Sequence, residues 1–221
     1  MYPKLLEQLR HVGDQALLRK KSHIAYQGEV PRYGYYVLDG SVKAYTISAD
    51  GNETIVDIFS RHSIMPVAWL NRTAPTAIFY YAALTDVRAV RFSRQDFEKI
   101  LKESPAAQQE YTRYLANAQT ALMFRATGLS QSSADHKVSY AFYYLVYRYG
   151  VKRSDGTYMV PLKLTHEVIA NFIGQSRENT TKTLKVLIDN SVVAQEAKVY
   201  TVDMSRLERY LGEDSFRQLV D

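Results

Sequence analysis

The chain has 221 residues, of which 46% are hydrophobic and 23% are charged, enough for one large or two ordinary domains with a real core. It contains no cysteine, which excludes disulfides, thiolate-bound iron–sulfur clusters and cysteine nucleophiles. The net charge is +5, but residues 152–221 contain ten basic and ten acidic residues, so the positive excess lies before them and no general basic field surrounds the C-terminal part.

The chain begins with a short amphipathic helix over residues 2–12, in which Leu5, Leu6 and Leu9 share one face. This segment lacks the apolar core of a signal peptide, and no stretch approaches the roughly 18 consecutive apolar residues of a membrane span. We therefore expect a cytoplasmic protein that does not enter a membrane.

Short alternating strands follow from Ala16 to about Phe92, separated by turn dipeptides such as Asp39-Gly40 and Asp50-Gly51. Asp-Gly between alternating runs is a hairpin signal, because glycine adopts the positive φ that tight hairpin turns need. Several strands at this spacing predict a small antiparallel barrel or roll.

Helices replace strands after residue 92. Ser93 and Asp96 have the spacing of an N-terminal capping box, and Pro105 then begins a long helix over residues 106–129. An apolar seam with spacings of three and four follows this helix, formed by Tyr111, Leu115, Ala118, Leu122 and Arg125 or Leu129. Such a seam favours a dimer contact, with packing of the helix against its own roll as the alternative.

The C-terminal part is predicted to be helical with a small hairpin near its end. Asp135 caps a helix that runs to about Tyr149, and residues 192–202 form a two-stranded wing before a last helix over residues 205–219. Between them, two amphipathic segments meet at Gly174, which can adopt the positive φ of a sharp turn between helices.

Thr165 and Ser176 are placed as N-caps of these two segments, each followed by an acidic residue in the first turn. The inward positions have helical spacing and are Val168, Ile169, Phe172, Ile173, Thr180, Leu184, Leu187 and Ile188. The outward positions of the second segment are Arg177, Glu178, Thr181, Lys182 and Lys185. This pattern suits a helix that enters a DNA major groove, and an ordinary solvated helical hairpin is the alternative.

These elements predict an α+β protein in three parts: an effector or sensor-like roll in residues 1–104, a dimerisation helix in residues 105–130 and a winged helix–turn–helix domain in residues 131–221. The motifs Gly28-Glu29, Tyr36-Val-Leu-Asp-Gly-Ser-Val-Lys43 and Gly174-Gln-Ser-Arg-Glu178 resemble the Crp/Fnr family of bacterial transcription regulators. The resemblance covers about residues 15 to 203, and it implies a double-stranded jelly roll and a homodimer that binds an inverted-repeat operator in double-stranded DNA.

The resemblance also implies roles for the outward residues. Arg177, Glu178 and Lys182 would reach base edges together with Thr181, with arginine bidentate to guanine and glutamate accepting from cytosine. The positions implied to hold phosphates are Thr165, Gln175, Ser176 and Lys185. Two positions depart from the family pattern. Lys182 stands where many relatives have arginine, and Ala197 stands where the wing turn usually has glycine, which predicts a wider or differently typed turn at Glu196-Ala197.

The strongest departure lies in the segment that would hold a cyclic nucleotide. Family members that bind one have Gly-Glu followed about ten residues later by Arg-Ser, which meet the ribose and the phosphate. Met65 and Pro66 replace Gly-Glu in this chain, and Ala77 and Ile78 replace Arg-Ser. We therefore expect no response to cAMP or cGMP, and no cofactor.

Two interpretations of this segment are compatible with the sequence. The equivalent region is rich in apolar and aromatic residues, and a pocket for a small-molecule effector would include Met65, Trp69, Arg72, Ile78, Tyr80 and Tyr81. Alternatively, these side chains fill the roll, which then serves as a scaffold without a ligand.

The function predicted from the sequence is therefore sequence-specific transcription regulation, with RNA polymerase as a candidate partner. A ligand-independent architectural or protein-interaction role is the alternative. An enzyme of the cupin type is disfavoured, because the five histidines are scattered and form no metal-ligand cluster in the sequence.

Overall fold

The computed structural model describes residues 2–212. The chain forms two compact units, with the boundary between Ala116 and Asn117. Among the described residues, no helix is long and apolar enough to cross a membrane. Of the last predicted helix, over residues 205–219, the described residues contain a helix over Met204–Leu211, and residues 213–219 lie outside the described part of the chain.

The first unit begins with helix α1 (Pro3–Val12) and continues through the strands of a roll. These are β1 (Asp14–Leu18), β2 (His23–Ala25), β3 (Gly34–Asp39), β4 (Val42–Ile47), β5 (Glu53–Phe59), β6 (Ile64–Met65), β7 (Tyr80–Ala83) and β8 (Val87–Phe92). Between β6 and β7 lies the short helix α2 (Val67–Leu70), and α3 (Arg94–Glu103) follows β8. The strands form two antiparallel four-stranded sheets with the orders β1-β8-β3-β6 and β2-β7-β4-β5. The predicted antiparallel roll is confirmed.

Close packing explains why glycine occupies the turn between β3 and β4. Gly40 has a φ of +84°, and a Cβ at this position would lie 2.2 Å from the carbonyl oxygen of Asp86. Any other residue would have a strained φ at this position, and its Cβ would clash with the carbonyl oxygen of Asp86. The Asp39-Gly40 hairpin signal thus corresponds to a turn that only glycine fits.

Two hydrophobic clusters stabilise the first unit. One fills the interior of the roll and includes Ala25, Val37, Val42, Ala44, Phe59, Met65, Ala77, Tyr81, Ala83, Val87 and Ala89. The other packs the roll against the helices and includes Leu5, Leu9, Tyr36, Ile64, Trp69, Leu70, Val90, Phe92, Phe97, Ile100, Ala107, Tyr111 and Tyr114. Leu5 and Leu9 are fully buried there, as the spacing of the first helix predicts.

The long helix α4 (Pro105–Ser130) begins in this second cluster. The hydroxyl of Tyr114 donates to the carbonyl oxygen of Ile64 at 2.9 Å and accepts from the amide of the same residue at 3.1 Å. The hydroxyl of Tyr111 accepts from Asn71 Nδ2 at 2.8 Å. The first half of α4 is therefore attached to the segment around β6 and α2. Tyr111, predicted as part of a dimer seam, is instead buried in the core of its own unit, with 4% of its surface exposed.

Among the described residues, the second unit contains the remaining part of α4, four further helices and four strands that form one sheet. Its elements are α5 (Ala134–Tyr149), β9 (Val151–Lys152), β10 (Tyr158–Val160), α6 (His166–Ile173), α7 (Arg177–Asp189), β11 (Val193–Glu196), β12 (Val199–Val202) and α8 (Met204–Leu211). The sheet has the order β11-β12-β10-β9, so the predicted two-stranded wing forms part of a four-stranded antiparallel sheet.

The N-cap of α5 differs from the prediction. Ser133, not Asp135, is the capping residue, and its hydroxyl accepts from the amide of His136 at 3.4 Å. Asp135 lies in the first turn, where its carboxylate accepts from the hydroxyl of Tyr210 at 3.1 Å. The capping prediction was wrong by two residues because an acidic residue stabilises both the cap position and the first turn of a helix.

Candidate nucleic-acid interface

Local sequence signals build the helix–turn–helix in the predicted way. The hydroxyl of Thr165 accepts from the amide of Val168 at 3.2 Å and begins α6, and the hydroxyl of Ser176 accepts from the amide of Asn179 at 3.2 Å and begins α7. Gly174 ends α6 in the left-handed conformation, with φ 66° and ψ 42°. Each helix end is thus satisfied by the residue type that its conformation favours.

The buried faces of α6 and α7 differ from the predicted ones at four positions. Ile169, Phe172, Ile173, Thr180, Leu184 and Leu187 are buried as predicted. Val168 is half-buried and Ile188 is 36% exposed, and Ala170 and Thr183 are buried although they were not predicted to be. All four positions lie at the borders of the apolar stripes, where helical spacing alone does not determine which neighbour packs inward.

The outward side chains of α7 form one exposed face. Arg177, Glu178, Thr181 and Lys182 line an open depression together with Ser176. All five residues are exposed, as is Lys185 one turn further along the helix. We call Ser176, Arg177, Glu178, Thr181, Lys182 and Lys185 the recognition face. It lies at the N-terminal end of α7, where unpaired amides and the helix dipole favour an anion.

Two other predicted phosphate-binding residues lie beside the recognition face. Gln175 is half-buried in the turn between the helices, and its backbone N–H donates to the carbonyl oxygen of Ala170 at 3.0 Å. Thr165 is half-buried and its hydroxyl is engaged in the cap of α6. A backbone hydrogen bond of the turn therefore holds Gln175 in place, and the cap of α6 holds Thr165.

His166 was not predicted as part of the site, yet it contacts the recognition face. Its Nδ1 lies 2.9 Å from the hydroxyl oxygen of Thr181. The two positions are 15 residues apart in different helices, so no periodicity within one helix could relate them. Only the packing of α6 on α7 brings them together.

Arg125 of α4 packs against α6 in the second unit. One guanidinium nitrogen donates to the carbonyl oxygen of Phe172 at 3.0 Å, and the guanidinium carbon lies 4.5 Å from the centre of the Phe172 ring. The carbonyl belongs to the last turn of α6, where orphan acceptors need a partner. Of the two residues predicted to continue the seam, Arg125 therefore contacts α6, and Leu129 is 39% exposed.

The wing ends in a tight two-residue turn. Glu196 pairs with Val199, and the intervening Ala197 and Lys198 have φ values of 48° and 71°. Positive φ at both central residues is the requirement of a type I′ turn, which asparagine and glycine favour and alanine does not. The turn is thus tight rather than wider, and the carbonyl oxygen of Lys198 accepts from the amide of Leu164 at 2.9 Å.

We expect Ala197→Gly to raise the free energy of unfolding by about 0.5–1 kcal/mol. The left-handed conformation costs a residue with a Cβ about 1–2 kcal/mol, which exceeds the about 0.4–1 kcal/mol lost through a more flexible unfolded chain. Urea-induced unfolding measures the change. The matched control is Ala194→Gly in β11, an exposed position outside the turn, where the same substitution should lower the free energy. Equal effects at the two positions would contradict this account.

The residues predicted to line an effector pocket do not meet in one place. Met65 and Tyr81 lie in the interior of the roll, whereas Trp69 belongs to the cluster around the helices. Tyr80 stacks on Tyr45 at 5.3 Å. Because neighbouring residues of a strand face opposite sides of the sheet, Tyr80 and Tyr81 point away from each other.

The other two residues of that set are at the surface. Ile78 is 47% exposed. Arg72 forms two hydrogen bonds with Glu98, from Nε at 2.6 Å and from a terminal nitrogen at 2.9 Å. This pairing with Arg72 lowers the pKa of the Glu98 carboxyl. Arg72 is therefore already paired with a carboxylate of α3.

The interior of the roll is apolar where the family's nucleotide-binding segment would supply charge. Ala77 is 2% exposed and Tyr81 is 4% exposed, and the ring of Phe59 lies 5.9 Å from that of Tyr81. Burial raises the pKa of the Tyr81 phenol above its usual value, and the nearby Asp57 raises it further. Tyr81 is therefore a neutral side chain in this interior.

Comparison with family models gives two matches. The model for the cyclic nucleotide-binding domain matches residues 15–104, and the model for the Crp-like helix-turn-helix domain matches residues 137–210. Together they include most of the roll and the whole recognition face.

Comparison with individual proteins agrees with these matches. The chain is 29% identical over 182 residues to the "Global nitrogen regulator" of Nostoc sp. (strain PCC 7120), covering 81% of this chain and 80% of that protein. It is 26% identical over 190 residues to the "CRP-like cAMP-activated global transcriptional regulator" of Mycobacterium tuberculosis, covering 83% and 81%. The solved structure of FixK2 from Bradyrhizobium japonicum has a TM-score of 0.71 at 18% identity, covering 90% of this chain and 96% of that one, and shares the fold.

Proposed function

This chain belongs to the Crp/Fnr family of transcription regulators, and we propose that it binds an inverted-repeat operator as a homodimer. Its family consists of transcription regulators, not enzymes. In this proposal residues 1–104 act as a sensor-like or scaffold roll, residues 105–130 pair two protomers and residues 131–221 bind DNA. The place of action is the cytoplasm, where a bacterial operator lies.

The observation that carries the proposal is the recognition face. Arg177 and Lys182 are exposed there with no acidic partner among the ion pairs of the described residues, and Glu178 lies beside them. An α-helix fits the B-DNA major groove, and its N-terminal residues meet the base edges. Arg177 would bind guanine O6 and N7, and Glu178 would accept from cytosine N4.

Phosphate contacts are proposed for residues at the border of that face. Ser176 and Lys185 are exposed, Gln175 lies in the turn between the helices, and Thr165 is the N-cap of α6. Such contacts fix the register of a protein on the duplex without reading its sequence. The second unit as a whole has no strong positive charge, so affinity depends on these few placed groups.

The homodimer is supported by apolar side chains that α4 leaves exposed. Leu122, Met123 and Leu129 are 45%, 66% and 39% exposed, and Leu115 and Ala118 are partly buried nearby on the helix. Leu115, Ala118, Leu122 and Leu129 follow the spacing of a coiled-coil seam. A second copy of the same helix would cover this seam, and the two recognition helices would then meet half-sites about one helical turn apart.

Selection from a pool of random duplexes tests the proposal. The full-length protein should enrich a palindromic sequence with two half-sites about 10 base pairs apart, centre to centre. Enrichment of no sequence, with equal binding to all duplexes, would support the architectural alternative instead. RNA polymerase is a further candidate partner, because a regulator at an operator lies beside the promoter that the polymerase uses.

We further propose that cAMP does not control this protein. The proposal is supported by Ala77 and Ile78 in place of a phosphate-binding Arg-Ser pair, and by the tyrosine and phenylalanine rings that pack inside the roll. The nearest arginine in sequence, Arg72, is paired with Glu98 at the surface. An anionic cyclic phosphate would thus be desolvated among apolar side chains, without the arginine that the family pattern supplies at this place. A different small-molecule effector of apolar character stays compatible with this interior.

Micromolar cAMP is expected to leave the midpoint of thermal unfolding unchanged. A ligand that binds only the folded state stabilises it by RT ln(1 + [L]/Kd). Binding of cAMP with a Kd below the concentration used would therefore raise the midpoint. The cAMP-activated relative from Mycobacterium tuberculosis is the positive control. A rise of several degrees in this protein would overturn the proposal.

A further inference from the structure

The contact between His166 and Thr181 joins the first helix of the motif to the recognition face. His166 is the first residue of α6, directly after the N-cap, and its ring is half-buried. Thr181 is exposed in the second turn of α7, four residues after Arg177. The distance of 2.9 Å between Nδ1 and Oγ1 is that of a good hydrogen bond.

Counting protons gives this hydrogen bond a direction. The hydroxyl of Thr181 has one proton, and it donates to the carbonyl oxygen of Arg177 at 2.8 Å, an atom that can only accept. The contact with His166 therefore needs a proton on Nδ1, so that the imidazole donates and the hydroxyl accepts. The threonine hydroxyl thus donates to the carbonyl oxygen of Arg177 and accepts from His166. One lone pair of its oxygen can still accept a hydrogen bond from a third group.

The same two hydrogen bonds determine the orientation of the side chain. Threonine in a helix populates two χ1 rotamers, because the hydroxyl can reach the carbonyl of the preceding turn in more than one way. The donor at His166 selects the rotamer that keeps Oγ1 against both partners. The Cγ2 methyl and the remaining lone pair then have fixed directions on the exposed face of α7.

We propose that His166 determines specificity by positioning Thr181, a role that rests on the proposed DNA-binding function. With its proton committed to Arg177, Thr181 can offer a base edge only an acceptor and a methyl group. This combination complements the amino group of cytosine or adenine, or the methyl group of thymine. It does not complement the N7 and O6 acceptors of guanine, to which a freely rotating hydroxyl can donate.

Three variants test the positioning role. His166→Ala removes the donor, and His166→Asn keeps one, since the amide nitrogen of asparagine extends about as far from the backbone as Nδ1. Thr181→Val removes the hydroxyl and keeps the branched shape. For each full-length variant, binding is measured to the best duplex from the random pool and to all its single base-pair changes.

His166→Ala should reduce the preference at one base pair by about 3- to 10-fold, the range of a single hydrogen bond. Binding to a non-specific duplex should stay as in the wild type. His166→Asn should restore most of the preference. In the Thr181→Val background, His166→Ala should have no further effect at that base pair, because the interaction it removes is already absent.

The outcomes separate the inference from the function on which it rests. If the wild type enriches no sequence, the proposed function fails. If it enriches one but His166→Ala changes no base-pair preference, or weakens every duplex alike as loss of a phosphate contact does, only the positioning role is overturned. Nitrogen-15 NMR of the imidazole gives an independent result: a protonated Nδ1 supports the role, and a bare Nδ1 contradicts it.

Discussion

Leu122→Glu is expected to convert the proposed dimer into monomers and to weaken binding to the full operator by about 100-fold or more. Leu122 is 45% exposed in one protomer, in the middle of the seam that also contains Leu129. Burying one leucine contributes about 1.5–3 kcal/mol, and the symmetric contact contains two copies of it. Two glutamates facing each other near the symmetry axis would add repulsion and a desolvation cost.

Loss of operator affinity follows from loss of the dimer. When one recognition helix is bound, a tethered second helix meets its half-site at a high effective concentration. A monomer lacks this advantage, so its affinity for the full operator should equal its affinity for one half-site. Sedimentation equilibrium measures the association, and titration of full and half-site duplexes measures the binding.

Thr127→Glu is the matched control. Thr127 is exposed on the same helix, but five residues from Leu122 place it about 140° around the axis. The added charge is identical, and the dimer and its operator affinity should be retained. If both variants remain dimeric with unchanged affinity, a different surface joins the protomers.

Local signals were sufficient to predict the helix–turn–helix. Thr165 and Ser176 form hydrogen bonds to amides three residues later, and Gly174 adopts the left-handed conformation that ends α6. Each signal acts within one turn of helix, so the sequence contains all that determines it. The Asp-Gly turns of the roll were predicted for the same reason.

Contacts between elements were harder to predict. Helical spacing placed Tyr111 and Arg125 on a common seam, yet Tyr111 packs in the roll cluster and Arg125 binds the end of α6. A periodic pattern defines a face of a helix but not which partner covers it. Both residues therefore have partners within their own unit.

The predicted effector pocket was also difficult to predict, because its residues lie on different faces of a sheet. Tyr80 and Tyr81 are adjacent in sequence, but alternation along β7 places them on opposite faces. The resemblance indicated which segment corresponds to a ligand site, but it did not determine which side chains of that segment face the same side of the sheet. The contact between His166 and Thr181 had no signal in the sequence, because it depends on how two helices cross.

Arg177→Ala is expected to cost about 1–3 kcal/mol on the best operator and to remove the preference at one base pair. Arg177 is exposed at the first position of α7, where its side chain is not needed to cap or pack the helix. The loss should therefore appear in binding and not in stability. Arg177→Lys tests the contribution of the guanidinium geometry. The variant keeps the positive charge but loses the planar group whose two N–H donors bind guanine O6 and N7 together.

Lys185→Ala gives the comparison that assigns each residue its role. Lys185 is exposed further along α7 and is proposed to contact a phosphate, so its removal should weaken all duplexes alike and reduce the salt dependence by about one ion. Arg177→Ala should instead discriminate among duplexes. If Arg177→Ala also weakens all duplexes alike, Arg177 contacts a phosphate, and the sequence preference comes from other residues of the recognition face.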